Sequence, residues 1–181
     1  MARHRSNLIW IDLETTGLSV TKHAIIEIAS IVTDKDLNVL GEGPNLIIHQ
    51  SEEALERTDD WCLQQHGPSG LLEASAASNV SLRDAEQQTL RFARAHTHRG
   101  MSPLCGNSIF LDRRFLMRYM RELNAHLSHR NIDVSSINEL VARWYPGVLA
   151  RLDKGVRHRA TDDIRASIDE LRFYRQRVFG T

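Results

Sequence analysis

The first long apolar run of the chain meets two acidic residues and then a turn, in the sequence Leu8-Ile9-Trp10-Ile11-Asp12-Leu13-Glu14-Thr15-Thr16-Gly17. Residues 8–13 are too few, and too rich in strand-favouring side chains, for a helix. They are predicted to form a mostly buried strand that ends at the break over residues 15–17. Successive side chains of a strand point to opposite faces. We therefore expect Asp12 and Glu14 to lie on the same side of the sheet.

This pair of acidic residues has two interpretations. Two neighbouring carboxylates at the end of a buried strand repel each other and resist the loss of water unless a cation joins them. On this interpretation the pair predicts a metal site. On the other, Asp12 and Glu14 lie where the strand emerges into water and only keep its end solvated. An Asp-x-Glu pair alone is a weak motif, so the choice depends on acidic residues elsewhere.

Length and cysteine content set the first limits. The 181 residues suffice for one domain, which we expect to span residues 1–181, without a disulfide or structural metal. Cys62 and Cys105 lie in apolar surroundings without metal-binding spacing, which predicts buried thiols in a reducing compartment. The basic N-terminus precedes only a short apolar run, which predicts neither a signal peptide nor a membrane span. These features predict a cytoplasmic protein with no membrane partner.

The charge balance limits the kind of polyanion that the chain binds. There are 23 basic and 23 acidic side chains, so the formal net charge is zero. Proteins that grip long nucleic acids rely on neutralising many phosphates with an excess of basic residues. A polyanion bound here is therefore expected to be short, or to be held at a local site where metal ions supply positive charge.

The remaining pattern predicts an α/β domain with a mixed sheet flanked by helices. Two more strands follow the first, over residues 24–33 and over residues 37–48 with a bend at 41–44. Two short strands are predicted later, over residues 103–106 and 131–134. Helices are predicted over residues 52–65, 69–76, 82–95, 110–123, 135–144 (capped by Ser135 or Ser136) and 161–178.

Further candidate residues occur where these elements begin. Asp112 lies at a strand-to-helix turn, Asp163 lies in the first turn of the last helix, and His158 precedes it by five residues. Four carboxylates suit two Mg²⁺ or Mn²⁺ ions ~4 Å apart, which clamp the attacking and leaving oxygens of a phosphodiester. His158, with a reference pKa of about 6.5, is a candidate general base for the attacking water.

Each of these residues also has an ordinary structural interpretation. Asp163 favours a helix N-terminus with or without a metal, and Asp162 beside it competes for the role. Asp112 could pair with Arg113 or Arg114, and His158 could be one of several surface histidines. The metal site is favoured because the four carboxylates and the histidine occur together in an order that suits it.

Several segments of the chain resemble the oligoribonuclease family of the DEDDh exonucleases. The likeness is carried by the segments Ile11-Asp12-Leu13-Glu14-Thr15-Thr16-Gly17-Leu18, Cys105-Gly106-Asn107-Ser108-Ile109, Asp112-Arg113-Arg114-Phe115-Leu116, Asp133-Val134-Ser135-Ser136 and His158-Arg159-Ala160-Thr161-Asp162-Asp163-Ile164-Arg165. It covers residues 7 to about 175, and the spacing from His158 to Asp163 selects the second aspartate of the pair.

The resemblance implies a ribonuclease H-like fold, with a mixed five-stranded sheet flanked by helices. It implies 3′→5′ hydrolysis of very short single-stranded RNA, chiefly dinucleotides, to 5′-mononucleotides. The four residues implied to hold two divalent metal ions, Mg²⁺ or Mn²⁺, are Asp12, Glu14, Asp112 and Asp163. The resemblance makes His158 the general base.

The resemblance also implies substrate contacts and a homodimer, with no other stable protein partner. Ser108, Arg130 and Ser135 would donate to the 5′-phosphate, because an Arg fork suits phosphate oxygens. Leu18 would wedge against the bases, and Trp61 and His66 would contact the nucleotide. For Trp61 and Leu18, packing in the core is the alternative. In the homodimer, the partner's chain would complete a cap over the 5′-phosphate.

Some positions depart from the family pattern. His129 stands where the family usually has a tyrosine that reaches into the partner's site, so the cap is expected to use His129 or to work less well. Two other functions compete with the first. One is an exonuclease that trims or proofreads longer ends, and the other is a binding module that keeps the fold without hydrolysis. An intact set of clustered carboxylates fits the binding module poorly, because unneutralised acids destabilise a fold that has no use for them.

Overall fold

The computed structural model describes residues 3–149 and 159–180 of the chain. Its six strands are β1 (Leu8–Thr15), β2 (Ile25–Thr33), β3 (Val39–Glu42), β4 (Leu46–Ile47), β5 (Leu104–Gly106) and β6 (Asn131–Asp133). Its helices are α1 (Glu52–Leu55), α2 (Asp60–His66), α3 (Leu71–Ala77), α4 (Leu82–His96), α5 (Phe110–Tyr119), α6 (Arg121–His126), α7 (Val134–Trp144), α8 (Pro146–Leu149) and α9 (Ala160–Tyr174), which a π-helical segment, Arg175–Phe179, extends.

One mixed sheet organises these elements. Its strand order is β3-β2-β1-β5-β6, and β4 also pairs with β2. The pairs β1–β2 and β2–β3 are antiparallel, whereas β1–β5 and β5–β6 are parallel. The predicted α/β class and mixed sheet are confirmed. The count is six strands because the third predicted strand is divided into β3 and β4.

The division between β3 and β4 lies at Gly43 and Pro44. The Gly43 amide still donates to the Ser30 carbonyl oxygen at 2.8 Å. A Cβ atom on Gly43 would lie 2.2 Å from the Ser30 hydroxyl and 2.6 Å from the Phe92 ring, so only glycine allows this close approach. Pro44 has no amide to continue the ladder. The bend predicted at residues 41–44 is thus a break in strand pairing.

Alternation along β1 divides the interior into two cores. Ile9, Ile11 and Leu13 pack on one face in the core that includes buried side chains of α4, α5 and α6. Trp10 packs on the opposite face with buried side chains of α7 and α9. Asp12 and Glu14 continue the face of Trp10, as the period of two requires. The sheet therefore presents both acidic side chains to the layer that contains α9.

Three features of the helices differ from the prediction. The helix predicted over residues 52–65 is found as two short helices, α1 and α2. The helix predicted over residues 110–123 is found as α5 and α6, separated at Met120, which has the non-helical angles φ −128° and ψ 63°. The predicted cap of α7 by Ser135 or Ser136 is wrong. The Asp133 carboxylate accepts the Ser135 amide and caps the helix, which begins at Val134. Within the described parts of the chain, no helix has the length and apolar character needed to cross a membrane.

Candidate active site

Three carboxylates meet at the end of β1. Oxygen atoms of Asp12, Glu14 and Asp163 all lie within 4.8 Å of one another. We call these three residues the acidic cluster. β1 supplies Asp12 and Glu14 on one face, and α9 packs against that face with Asp163 in its first turn. Asp162, the competing candidate, lies 3.9 Å from the Arg165 guanidinium, and its side chain is 40% exposed.

Asp112 is fixed beside the acidic cluster by the backbone of β1. Its Oδ1 atom accepts the Leu13 amide at 3.0 Å. This amide is available because β5 ends at Gly106, whereas β1 continues to Thr15. The Arg113 guanidinium donates elsewhere, to the Ser128 carbonyl at 2.7 Å and the Asn131 side chain at 2.9 Å. Asp112 is thus positioned by an unpaired strand edge, as a group at the carboxyl end of a strand is expected to be.

Burial and mutual repulsion disfavour the charged forms of these acids. Burial raises the pKa of Glu14 to about 8, and the charges of Asp163, Glu27 and Asp112 add to that effect. The pKa of Asp12 is raised well above its usual value by burial and then by Asp112 and Glu14. Burial also raises the pKa of Asp112 to about 7, against the lowering effect of the Leu13 hydrogen bond. A bound divalent cation would relieve this cost, so the residues present fit a metal site.

The stability of the metal-free protein is expected to depend on pH because of these shifts. A carboxyl group whose pKa is higher in the folded state than in the unfolded state stabilises the fold at pH values below its unfolded pKa of about 4. That stabilisation is lost as the pH rises through the folded-state pKa. The melting temperature in chelator is therefore expected to fall between about pH 5 and pH 8, and Mn²⁺ is expected to reverse the fall. Differential scanning fluorimetry with chelator or Mn²⁺ measures both effects.

Glu14→Gln is the matched variant for this measurement. It removes one titrating group from the acidic cluster, so the fall in chelator is expected to be smaller than in the unaltered protein. A metal-free melting temperature that stays level or rises up to pH 8, with no response to Mn²⁺, would contradict a strained acidic site.

A cleft of ≈ 330 Å³ lies above the acidic residues. This volume is in the range of small-ligand sites. The residues that line it are Asp12, Leu13, Glu14, Thr15, Leu18, Trp61, Cys62, Gln65, His66, Asn107, Ser108, Leu111, Asp112, Phe115 and Asp163. The predicted ligands Asp12, Glu14, Asp112 and Asp163 thus share one cleft with four predicted substrate-contacting residues.

Two exposed apolar side chains border the cleft. Leu18 is 58% exposed and Trp61 is 61% exposed, so the alternative that they pack in the core is wrong. Leu18 follows Gly17, where an added Cβ would lie 2.2 Å from the His23 ring and 2.5 Å from Asp59 Oδ2. This close packing holds the turn that presents Leu18. Exposed apolar side chains beside buried acids are suited to contact the flat face of a base.

His66 lies deeper in the cleft than these two side chains. It is 2% exposed, and its Nε2 atom lies 3.2 Å from the Thr15 carbonyl oxygen and 3.8 Å from Glu14 Oε2. A ring nitrogen at these distances helps to fix the end of β1. His66 therefore lies against Glu14 of the acidic cluster.

Ser108, which lines the cleft, and Ser135, which does not, form a pair of hydroxyl groups. Their Oγ atoms lie 3.3 Å apart, and the Ser108 amide donates to Ser135 Oγ at 3.0 Å and to Asp133 Oδ1 at 3.1 Å. These bonds hold Ser108 at φ +48°, a left-handed conformation uncommon outside glycine. Asn107 accepts the Ser135 hydroxyl and donates to Ser167 on α9. The hydroxyl pair is thus braced by both β6 and α9.

The other predicted residues lie outside this arrangement. His129 and Arg130 are exposed and do not line the cleft. Arg113 holds their backbone, because its guanidinium donates to the carbonyl oxygens of Ser128 and Arg130. His158 lies outside the described residues, so its predicted role as a base stays a prediction.

Three structural partners of the site were missed by the sequence reasoning. Glu27 is fully buried opposite Glu14, Arg159 is bonded to Glu27, and Asn107 links the hydroxyl pair to α9. Glu27 carried a usable signal, since it is the one charged residue in the strand Ile25–Thr33, whose nine residues are all buried. A charge inside such a strand requires a partner.

Comparison with known proteins places this architecture in a class. A protein-family model described as an exonuclease, RNase_T, matches residues 9–171. The structure of exonuclease I from Methylocaldum szegediense superposes with a TM-score of 0.70 at 20% identity, over 95% of this chain and 41% of that one. A zinc-bound complex of E. coli exonuclease I with single-stranded DNA superposes with a TM-score of 0.75 at 14% identity. The match covers 97% of this chain and 42% of that one. The chain thus spans less than half the length of these two exonucleases, and the likeness shows its fold. Fold, acidic cleft and family model together define a ribonuclease H-like exonuclease.

Curated relatives narrow the class to a family. The chain is 54% identical to the oligoribonuclease of Shewanella loihica over 99% of both chains. It is also 54% identical to the oligoribonuclease of Vibrio vulnificus over 96% of both. The chain belongs to the oligoribonuclease family and is a 3′→5′ exoribonuclease.

Proposed function

We propose that the chain hydrolyses very short single-stranded RNA, especially dinucleotides, from the 3′ end to 5′-mononucleotides. The observation that carries this proposal is the small cleft of ≈ 330 Å³ with the acidic cluster at its base and exposed apolar side chains at its border. A formal net charge of zero supports a local site over a long phosphate-binding groove. The buried free thiols Cys62 and Cys105 suit work in a reducing compartment such as the cytoplasm.

Two divalent cations, Mg²⁺ or Mn²⁺, are the proposed cofactors. Asp12, Glu14, Asp112 and Asp163 would hold them, since hard cations prefer oxygen ligands and these carboxylates repel one another without a cation. When bound, such ions would neutralise the charge that develops on the phosphodiester. His158 is proposed to take the proton of the attacking water.

Other side chains in and around the cleft are proposed to bind and orient the nucleotides. Trp61 stacks on a base and Leu18 wedges against the bases, while His66 contacts the nucleotide. Ser108 and Ser135 donate hydroxyl hydrogen bonds to the 5′-phosphate, and Arg130 adds a charged one. Stacking on an aromatic ring suits any base, which a degradative enzyme requires.

A homodimer is proposed to complete the phosphate site. His129 and Arg130 are exposed at the surface of one chain, on a segment that Arg113 ties to α5. A second copy would bring its own position 129 towards the 5′-phosphate. A histidine there donates a hydrogen bond from one ring N–H to the phosphate, and when protonated it also carries a positive charge.

Substrate length is the property that tests this proposal. Turnover of 5′-labelled RNA of two, three, seven and about twenty nucleotides is measured with Mg²⁺, Mn²⁺ or chelator. The dinucleotide is expected to be cut fastest, because a small capped site excludes longer chains, and chelator is expected to stop cleavage. Equal rates on the long RNA would favour the trimming exonuclease, and no cleavage with any metal would leave the binding module.

A pair of tryptophan variants tests the proposed stacking in the same assay. Trp61→Ala is expected to raise KM for the dinucleotide by about 5- to 150-fold, since stacking on one base contributes ~1–3 kcal/mol. Trp144→Ala is the control, because Trp144 is 66% exposed on α7 and does not line the cleft. An equal effect of both variants would remove Trp61 from substrate binding.

A further inference from the structure

An ion pair between a buried glutamate and a half-exposed arginine lies directly beside the acidic cluster. Glu27 is fully buried in β2, and Arg159 Nη2 donates to its Oε1 atom at 2.9 Å. Arg159 Nε lies 3.3 Å and 3.4 Å from the two carboxylate oxygens. The guanidinium therefore meets the carboxylate with more than one N–H group, a geometry that fixes direction as well as distance.

The sheet places Glu27 on the same face as the acidic cluster. Glu27 is paired with Glu14 across the antiparallel β1–β2 ladder. Residues directly opposite each other in such a ladder share a face and lie close together. Glu27 is thus a fifth acidic side chain at this end of the sheet. Its burial requires a cationic partner, and Arg159 supplies that partner.

Arg159 also begins the helix that supplies Asp163. Its carbonyl oxygen accepts the Asp162 amide at 2.8 Å and the Asp163 amide at 3.0 Å. The same residue thus bonds to β2 through its side chain and to the first turn of α9 through its backbone. A shift of Arg159 along Glu27 would move Asp163 relative to Asp12 and Glu14.

We propose that Glu27 and Arg159 are a positioning pair that sets where Asp163 stands relative to Asp12 and Glu14, and so sets the affinity of the acidic cluster for divalent cations. This inference rests on the proposed metal site. Neither residue needs to touch the metal or the substrate for this role. Arg159 neutralises Glu27, so the fifth acid does not compete with the four proposed ligands.

A second ion pair on α9 provides the matched control. Arg165 lies on the same helix, and its Nη2 atom donates to Glu42 Oε2 on β3 at 2.8 Å. The side chains of this pair are 48% and 49% exposed, whereas those of Arg159 and Glu27 are 42% and 0% exposed. Both pairs join α9 to the sheet, and only the first lies beside the acidic cluster.

The test measures Mn²⁺ binding in the absence of substrate, by electron paramagnetic resonance, for Arg159→Gln, Glu27→Gln and the double variant. Arg159→Gln is expected to weaken Mn²⁺ affinity about 10- to 100-fold, the usual effect of removing a group that orients ligands. It is also expected to lower kcat more than it raises KM. The double variant should recover melting temperature, since no charge is left unpaired, but not Mn²⁺ affinity.

Conservative and control variants separate positioning from general stability. Arg159→Lys keeps the positive charge but loses the two-pronged hydrogen bonding of the guanidinium. It should therefore fold and recover part of the Mn²⁺ affinity that Arg159→Gln loses. Arg165→Gln and Glu42→Gln should bind Mn²⁺ as the unaltered protein does. Unchanged Mn²⁺ affinity and kcat in folded Arg159→Gln and Arg159→Lys would overturn the positioning role. Absence of Mn²⁺ binding in the unaltered protein would overturn the metal site itself, and with it this inference.

Discussion

Asp112→Asn is expected to lower turnover of a dinucleotide by at least about 10³-fold, because a ligand of this kind stabilises transition-state charge by several kcal/mol. The fold should survive the change. The Asn side-chain oxygen can still accept the Leu13 amide that Asp112 accepts at 3.0 Å. The neutral amide is a poorer ligand for a hard cation, so the rise in melting temperature on adding Mn²⁺ should shrink.

The same variant should be more stable than the unaltered protein in chelator. The Asp112 charge is the largest charge effect raising the pKa of Asp12, and its removal relieves that repulsion. Asp34→Asn is the control, because Asp34 also accepts backbone amides, from Asp36 and Asn38, in the turn between β2 and β3. Its turnover and Mn²⁺ response should be unchanged. Near-normal turnover of Asp112→Asn would show that Asp112 is not a metal ligand.

His158→Ala is expected to lower kcat by about 10²- to 10⁴-fold, the usual contribution of a general base. Mn²⁺ affinity and KM should change little, since the imidazole is proposed to act on the attacking water alone. A neutral imidazole is required, so kcat of the unaltered protein should fall at acidic pH, where a histidine is protonated. The pH–rate profile of the variant should lack this fall at acidic pH. Single-turnover rates measured across pH test it.

A second histidine provides the comparison for this experiment. His98 is exposed in the segment before β5 and does not line the cleft. His98→Ala should therefore keep both the kcat of the unaltered protein and its fall at acidic pH. If His158→Ala retained the rate and the same pH dependence, another group would have to serve as the base.

Local pattern predicted most of the fold and the choice of acidic residues. Alternation along β1 placed Asp12 and Glu14 on one face, and this required only the period of a strand. The choice of Asp163 over Asp162 came from the family resemblance, and the acidic cluster includes Asp163 while Asp162 lies near Arg165. The first inference depends only on neighbours in sequence, so local pattern could make it, whereas the second needed the likeness to a known family.

Features that depend on distant contacts were missed or misplaced. The pairing of Glu27 with Arg159 joins positions that only the folded chain brings together. The exposure of Trp61 depends on how α2 packs, since the same residue in a helix of the core would be buried. The cap of α7 was misplaced because Asp133 ends a strand and begins a helix at once, and a serine pair beside it fits the usual pattern equally well.

The acidic cluster joins β1 to α9, a helix that follows all six described strands in the chain. A ribosome releases Asp12 and Glu14 early, whereas Asp163 emerges only after β2, β5 and α5 have been made. Until α9 is made, the chain lacks Asp163, one of the four proposed ligands. The proposed metal site therefore cannot form until α9 has been made.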